Sequence, residues 1–272
     1  MRALLLAPLL FVAVACRAPE PADPPPPTDL AALIAGSEIV DLSHAFDAET
    51  IVWPTSKAFR LDTVADGMTP GGYYYAANDI FTSEHGGTHL DAPVHFAQGR
   101  PTADQVPLSR LIGGAAVVDV TRQAEADANY LVTVADLEAW ETAHARLAPR
   151  TIVLLRTGFS SHWPDAARYL GTAERGAEAV AKLRFPGLHP DAATWLVEER
   201  EVGAVGIDTA SIDRGQSTTF EAHRVLAAAD VPIFENLTRL DALPAGGAVV
   251  VALPMKVAGG SGGPLRAIAL VP

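Results

Sequence analysis

The sequence predicts an α/β fold, a mixed β-sheet with surrounding helices, on three observations. Short runs such as Thr151–Arg156 (Thr-Ile-Val-Leu-Leu-Arg), Ala115–Asp119 and Gly203–Ile207 are apolar at successive positions, as strands buried on both faces require. Between them lie segments with helical spacing of apolar residues. At the end of the chain, Ala248–Leu253 and Leu265–Val271 are close enough for a hairpin, so the sheet is mixed rather than purely parallel.

In chain order, Met1–Arg2 is a short basic start and Ala3–Ala15 an apolar run too short to span a bilayer, the form of a secretory signal. The run ends Ala13-Val14-Ala15-Cys16, with the chain's one cysteine directly after the cleavage point. This resembles a bacterial lipoprotein signal, residues 1–16, with Cys16 lipidated; ordinary cleavage to a soluble periplasmic product is the alternative. Residues 17–29, rich in proline, read as an extended spacer. The folded domain is expected over 30–272, on the periplasmic side of the membrane.

Within it, Glu38–His44 alternates as a half-buried strand. Trp53, held extended before Pro54, is either a core aromatic or a wall of a substrate pocket. Gly71–Phe81 is strand-like in its aromatics. A helix is expected from Val134 to Leu147, with Thr133 as cap and Asp136 at the capping-box position. Pro190–Glu201 and Phe220–Ala229 are further helices, the latter carrying His223, and Val231–Phe234 leads to Glu235. The loop Gly259–Gly263 lacks the Gly-Lys-Ser/Thr ending of a phosphate cradle and reads as a flexible connection.

Composition narrows the function. A formal charge of -12 repels phosphate backbones, which excludes nucleic acid as a partner. A single cysteine permits neither an intramolecular disulfide nor a Cys-ligated zinc site. Any metal must be held by His, Asp and Glu.

Those residues concentrate in Ser83–His95, where three of the eight histidines and Asp91 fall among Gly, Thr and Pro. His85, His89, Asp91 and His95 are all odd-numbered, so an extended backbone puts them on one face, and Gly86, Gly87 and Pro93 oppose a helix. Two imidazoles and a carboxylate are a common shell for a catalytic divalent ion that keeps a position open for water. The spacing is not that of a His-Glu-x-x-His site.

His85-x-Gly-Thr-His89-x-Asp91-x-Pro-x-His95 is identified as the signature of the cyclase family, which includes bacterial kynurenine formamidase and isatin hydrolase. Asp41–His44, Val52–Pro54 and Gly206–Ser211 resemble further segments of that family. The resemblance implies a swivelling β/β/α architecture. His223 and Glu235, twelve residues apart, resemble the distal ligands of the formamidases, although alone His223 is equally a helix histidine and Glu235 a partner for Arg224 or Arg239. By the formamidase resemblance His85, His89, Asp91 and Glu235 hold one ion and Asp91, Glu235 and His223 a second. His95 is the proton carrier, and Trp53 stacks on the substrate.

The activity so implied is metal-dependent hydrolysis of an aryl formamide such as N-formyl-L-kynurenine, by water activated on one or two zinc ions. The alternative is opening of a cyclic aryl amide as in isatin hydrolase, with one manganese ion. A lipid-anchored metal- or solute-binding protein without catalysis is a third reading. The expected partners are a small aromatic amide, the membrane through the lipid, and a second copy of the chain in a homo-oligomer.

Overall fold

The computed structural model describes residues 30–272. The expected signal, Cys16 and the spacer (1–29) lie outside the described residues. Residues Gly36–Pro272 form one compact unit, and the short helix α1, Leu30–Gly36, is described by itself.

The strands are β1 Glu38–Asp41, β2 Arg60–Met68, β3 Tyr74–Phe81, β4 His89–Asp91, β5 Ile112–Asp119, β6 Leu131–Val132, β7 Ile152–Arg156, β8 Gly187–Leu188, β9 Ala204–Ile207, β10 Ile233–Glu235, β11 Gly246–Pro254 and β12 Gly262–Val271. The remaining helices of seven residues or more among the described residues are α2 Val134–Ala143, α3 Pro190–Glu198 and α4 Glu221–Ala228.

The main sheet is mixed, as expected, and it closes on itself. Its order is β12-β11-β5-β7-β9-β10-β4, and β4 then pairs back onto β12. The β5-β7-β9-β10 part is parallel; β11, β12 and β4 run antiparallel to their neighbours. Closure depends on the length of β12. One edge of it pairs with β4 through Gly262–Pro264 and with β1 through Ile268–Val271.

The ring explains the two-faced apolar runs. Leu90, Val117, Leu154, Ala204, Phe234, Val250 and Ala267, one from each ring strand, fill the interior. The alternate residues Val118, Val153, Leu155, Val205 and Ile207 pack outward against Leu137 of α2, Leu196 of α3 and Leu226 of α4. Burying both faces leaves few polar positions on these strands.

The helix after Thr133 begins as its sequence requires: Asp136 N–H donates to Thr133 Oγ1 and Thr133 N–H to Asp136 Oδ2. It ends at Ala143 rather than Leu147. Leu147 is a buried loop residue whose N–H is held by Glu141 Oε1, and Pro149 beyond it disfavours helix. The first strand likewise stops at Asp41, with Ser43 making an isolated bridge to Leu237. The expected strand before the histidine motif is β3, and among the described residues its sole strand partner is β2, in an exposed hairpin separate from the ring.

Candidate metal centre

The histidine motif is not one extended strand. Only His89–Asp91 is strand, the preceding residues turn, and Pro93–His95 is a single turn of 3-10 helix. Gly87 makes the turn with φ +60°, where a Cβ would lie 2.6 Å from the Phe46 ring, so a larger residue is both strained and obstructed. Its four chemistry-bearing residues converge all the same.

Strand register brings in the distal residues. Leu90 points into the ring, so His89 and Asp91 face outward. In the antiparallel pairing of β4 with β10, Glu235 stands opposite His89 and Ile233 opposite Asp91, and Phe234 takes the inward position. His223, on the first turn of α4, is buried over this outward face. Its Nε2 lies 3.0 Å from Asp91 Oδ2 and 3.2 Å from Glu235 Oε1. On the other side, His85 Nδ1 is 2.6 Å and His89 Nε2 3.1 Å from Asp91 Oδ1. Glu235 Oε2 lies 3.5 Å from His89 Nε2, and neither Arg224 nor Arg239 pairs with Glu235 in an ion pair.

The result is two triads joined at Asp91: His85, His89, Asp91 and Asp91, His223, Glu235, each with its donor atoms within 4.8 Å of one another. Two buried carboxylates a few ångströms apart call for a cation, because a like-charged pair out of water is otherwise held only by protons. His89 Nε2 is buried with no hydrogen-bond partner. It lies near Asp91 without the alignment of a hydrogen bond and is free to donate its lone pair. The residues fit a divalent metal ion.

Each histidine of the triads is also tied at its other nitrogen, the arrangement that fixes a ligand's tautomer. His89 Nδ1 donates to Gly87 O at 2.9 Å. His223 Nδ1 lies 2.6 Å from Asp213 Oδ2, and Asp213 accepts the Ala222 and His223 N–H groups at the start of α4 as well. His85 Nε2 meets Ser261 Oγ at 2.8 Å, and that hydroxyl donates to Glu84 Oε2 at 2.6 Å.

The Gly259–Gly263 segment is therefore a packed wall rather than a flexible connection. A Cβ on Gly262 would lie 2.5 Å from Leu90 O and 2.6 Å from His85 Cε1. Ser261→Ala is expected to weaken metal affinity by about 10-fold, measured by competition with a chromophoric chelator, with the unfolding midpoint of the metal-free protein little changed.

Glu84, Ser261 and Asp213 were not foreseen from the sequence, nor was Asn236, which donates to Gly87 O at 2.7 Å and accepts from Tyr169 Oη at 2.8 Å. Glu84 and Asn236 adjoin His85 and Glu235 but carry no signal of their own, and Asp213 and Ser261 lie far from the motif in the chain. The one local signal was the density of glycines around Ser261.

Charge follows the geometry. Burial alone would push His223 and His89 down, but Asp213, Asp91 and Glu235 around His223 hold it well above the usual histidine range, and Asp91 and Glu235 raise His89. Burial likewise works against the Asp91 carboxylate, yet His85, His223 and His89 keep it well below its ordinary value. Glu235 is raised by burial and by the Asp91 charge.

The stabilising contribution of protonated His223 is present below the unfolded pKa of ~6.5 and is lost as pH rises through the elevated folded value. That of Asp91 is lost only as pH falls through its depressed value. On the alkaline side the metal-free site retains carboxylate charge without its protons, and a metal ion replaces them. The rise in Tm on adding metal is expected to grow from pH 6.5 upward, as paired thermal melts of chelated and loaded protein would show. A shift independent of pH would contradict this charge assignment.

His95 stands outside the triads. Its ring stacks on His85 with centroids 3.8 Å apart and planes at 19°, and burial pushes its pKa down to about 4, leaving it neutral at pH 7. It lines a cavity of about 240 Å³ together with Trp53, Phe96, Phe220 and the triad residues. Trp53 faces this cavity and also meets Phe185 of the adjacent core edge-on at 6.5 Å. A wider cleft of about 730 Å³ around Arg156, Asp208 and Arg239 contains none of the expected site residues.

A buried His/Asp/Glu cluster that fits a divalent ion, at the end of an apolar cavity and beside an uncommitted neutral histidine, defines a metal-dependent hydrolase. Comparison with known proteins agrees. The sequence profile described as Putative cyclase matches residues 40–214, and the chain belongs to that family. It is 34% identical over 209 residues to isatin hydrolase of Roseibium aggregatum, covering 74% of this chain and 77% of that protein. It is 31% identical to kynurenine formamidase of Sphingopyxis alaskensis over 85% of this chain and 97% of the relative. The solved structure of isatin hydrolase A from Ralstonia solanacearum superposes with a TM-score of 0.81 at 31% identity, covering 92% of this chain and all of that one.

Proposed function

We propose that the protein hydrolyses the C–N bond of a small aryl amide, and that its substrate is a cyclic one of the isatin type. The observation that carries the choice of substrate is the lining of the cavity. Among the described residues no Lys or Arg lines it, and Arg175 beside it is occupied with the carbonyls of Val52 and Ser56. An amino-acid tail such as that of formylkynurenine would bring a carboxylate into this space with no cation to meet it. A flat bicyclic lactam asks only for aromatic walls, which Trp53, Phe96 and Phe220 provide, and the cavity is smaller than the roughly 300–1,000 Å³ of drug-sized ligand sites.

In this reading His85, His89 and Asp91 hold the catalytic ion, manganese by the isatin-hydrolase resemblance. His223 and Glu235 orient Asp91 or, in a two-ion site, hold the second ion with it. When bound there, a divalent ion would supply Lewis-acid polarisation of the amide carbonyl and a lowered pKa for the attacking water. His95, neutral and facing the cavity, accepts a proton from that water and delivers one to the departing nitrogen. The lactam C–N bond breaks as the C–O bond forms, and the ring opens to a carboxylate and an arylamine that keeps the delivered proton.

The test is to assay the metal-loaded protein on isatin and on N-formylkynurenine while counting metal per chain. Preference for isatin with one ion is the expected result. Preference for formylkynurenine with two ions would establish the formamidase reading instead, and no turnover of either with metal bound would leave only a binding protein. The sequence before residue 30 supports a lipid anchor at Cys16 on the periplasmic side. Cys16→Ser is expected to release the protein from the membrane fraction.

A further inference from the structure

The helices of the fold cover the outward side of β5, β7 and β9. The outward residues of β1, β12 and β11 belong to none of the core clusters, and they are aliphatic all the same. Register sets them in rows. Ile39, Leu270 and Val249 lead across to Gly114 of β5, Ile268 and Val251 lead to Ile112, and Leu253 lies beyond, opposite Arg266.

This face is open. Ile39 is 56% exposed and Ile112 and Leu253 are 44% exposed, and a Cβ added at Gly114 would meet nothing within 4 Å. The solvated face of an antiparallel sheet is normally polar. Among the described residues, the outward positions of these three strands hold one charged pair, Asp41 with Arg266 at 2.6 Å, so the face carries no net charge. Its aliphatic side chains together expose roughly 400 Å², a size at which a surface patch is commonly functional and about half the ~800 Å² per partner of a stable protein interface.

We propose that this face rests on a lipid bilayer, its occupant being the headgroup and acyl boundary of a zwitterionic leaflet. The chain itself brings it there. β1, the edge strand of the face, starts at Glu38, with only residues 17–29 and α1 between it and Cys16. Residues 17–29, extended as polyproline, reach ~40 Å, about the diameter of a domain of this size. A surface contact too weak to hold a free protein becomes effectively intramolecular on such a tether. Shape also favours lipid over a second copy: the outside of a closed ring is convex, so two such faces meet along a line, whereas lipid conforms to the curve. Arg266, its side chain 75% exposed, sits where a guanidinium can reach lipid phosphate while its stem lies along apolar surface. The net charge of -12 disfavours an anionic leaflet.

The face would supply orientation rather than attachment. The candidate metal centre is on the outward side of β4 and β10, further round the ring, so a domain lying on β1, β12 and β11 does not close its cavity against the membrane. This inference rests on the lipid anchor at Cys16 and is independent of the substrate assigned above.

The experiment is electron paramagnetic resonance on the lipidated, zinc-loaded protein in vesicles of phosphatidylethanolamine and phosphatidylcholine. A nitroxide is placed on Leu253→Cys or, as a control, on Glu125→Cys, an exposed helical position; Cys16, the chain's other thiol, is blocked by the lipid. Oxygen, which concentrates in the bilayer, is expected to relax the label at 253 severalfold more than the control label, each measured against a water-soluble nickel chelate. Adding Ile39→Thr/Ile112→Thr is expected to abolish that difference while flotation with the vesicles and metal content are retained, since both side chains are exposed and threonine suits a strand. Flotation with a water-exposed label at 253 would overturn the proposal and leave the anchor standing. Protein that does not float would overturn the anchor and the proposal with it. A label already shielded from the chelate in lipid-free Cys16→Ser protein would mean that protein covers the face, and would equally overturn it.

Discussion

Asp91→Asn is expected to abolish metal binding and hydrolysis together, while the protein continues to unfold in one cooperative transition. Asp91 is the member common to both triads, with Oδ1 toward His85 and His89 and Oδ2 toward His223. Asparagine keeps the shape but removes the charge and turns one acceptor into a donor, directed at imidazoles whose lone pairs a metal requires. Neither triad survives the change. The fold does, because the ring interior is filled by Leu90 and its counterparts on the other strands and Asp91 faces away from it. Metal content after dialysis and a thermal melt check both halves. Stoichiometric metal in the variant would mean that the ion is held elsewhere, and loss of the cooperative transition would make the site structural.

His95→Ala is expected to lower kcat by about 10²- to 10⁴-fold, the usual range for a lost proton-transfer group, with metal content unchanged. His95 touches His85 by ring stacking and not through a ligand atom, so its removal leaves the donor set complete. Because the lost interaction belongs to the transition state, kcat and kcat/KM fall together. Partial recovery with added imidazole, which can enter the space left by the ring, would show that a missing base rather than a disturbed wall causes the defect. A change confined to KM would reduce His95 to part of the substrate surface.

The ligand cluster was legible because the chemistry of metal binding restricts residue types and packs His85, His89 and Asp91 into seven positions. Its geometry was not. An extended strand predicts convergence of odd-numbered residues, but the real device is a turn at Gly87, three residues of β4 and one turn of 3-10 helix. Linear alternation carries no information about such a path. His223 and Glu235 were reachable only through the family resemblance, since what joins them to the motif is the pairing of β10 with β4, a long-range register.

The central strands β5, β7 and β9 were visible one by one from their apolar runs, whereas the polar, exposed β2 and the closure of the sheet were not; closure depends on which part of the long β12 each neighbour takes. Ser261 and Glu84 were hidden for a related reason. A serine becomes a support for a ligand only when a distant strand carries it there.

That closure has a mechanical consequence for the bound ion. The seam of the ring runs through the candidate metal site: Asp91 is rung partner to Gly262 on one side and to Ile233 on the other, and His89 to Pro264 and Glu235. Were Glu235 also to hold the ion, side chains from both β4 and β10 would rivet that seam, and chelation would free β4, a strand of three residues, early. Amide hydrogen exchange at His89–Asp91 and at the facing positions of β12 is expected to quicken on chelation, well before the parallel strands β5, β7 and β9 respond. The metal that equips the protein for chemistry would then also be the last fastener in closing its barrel.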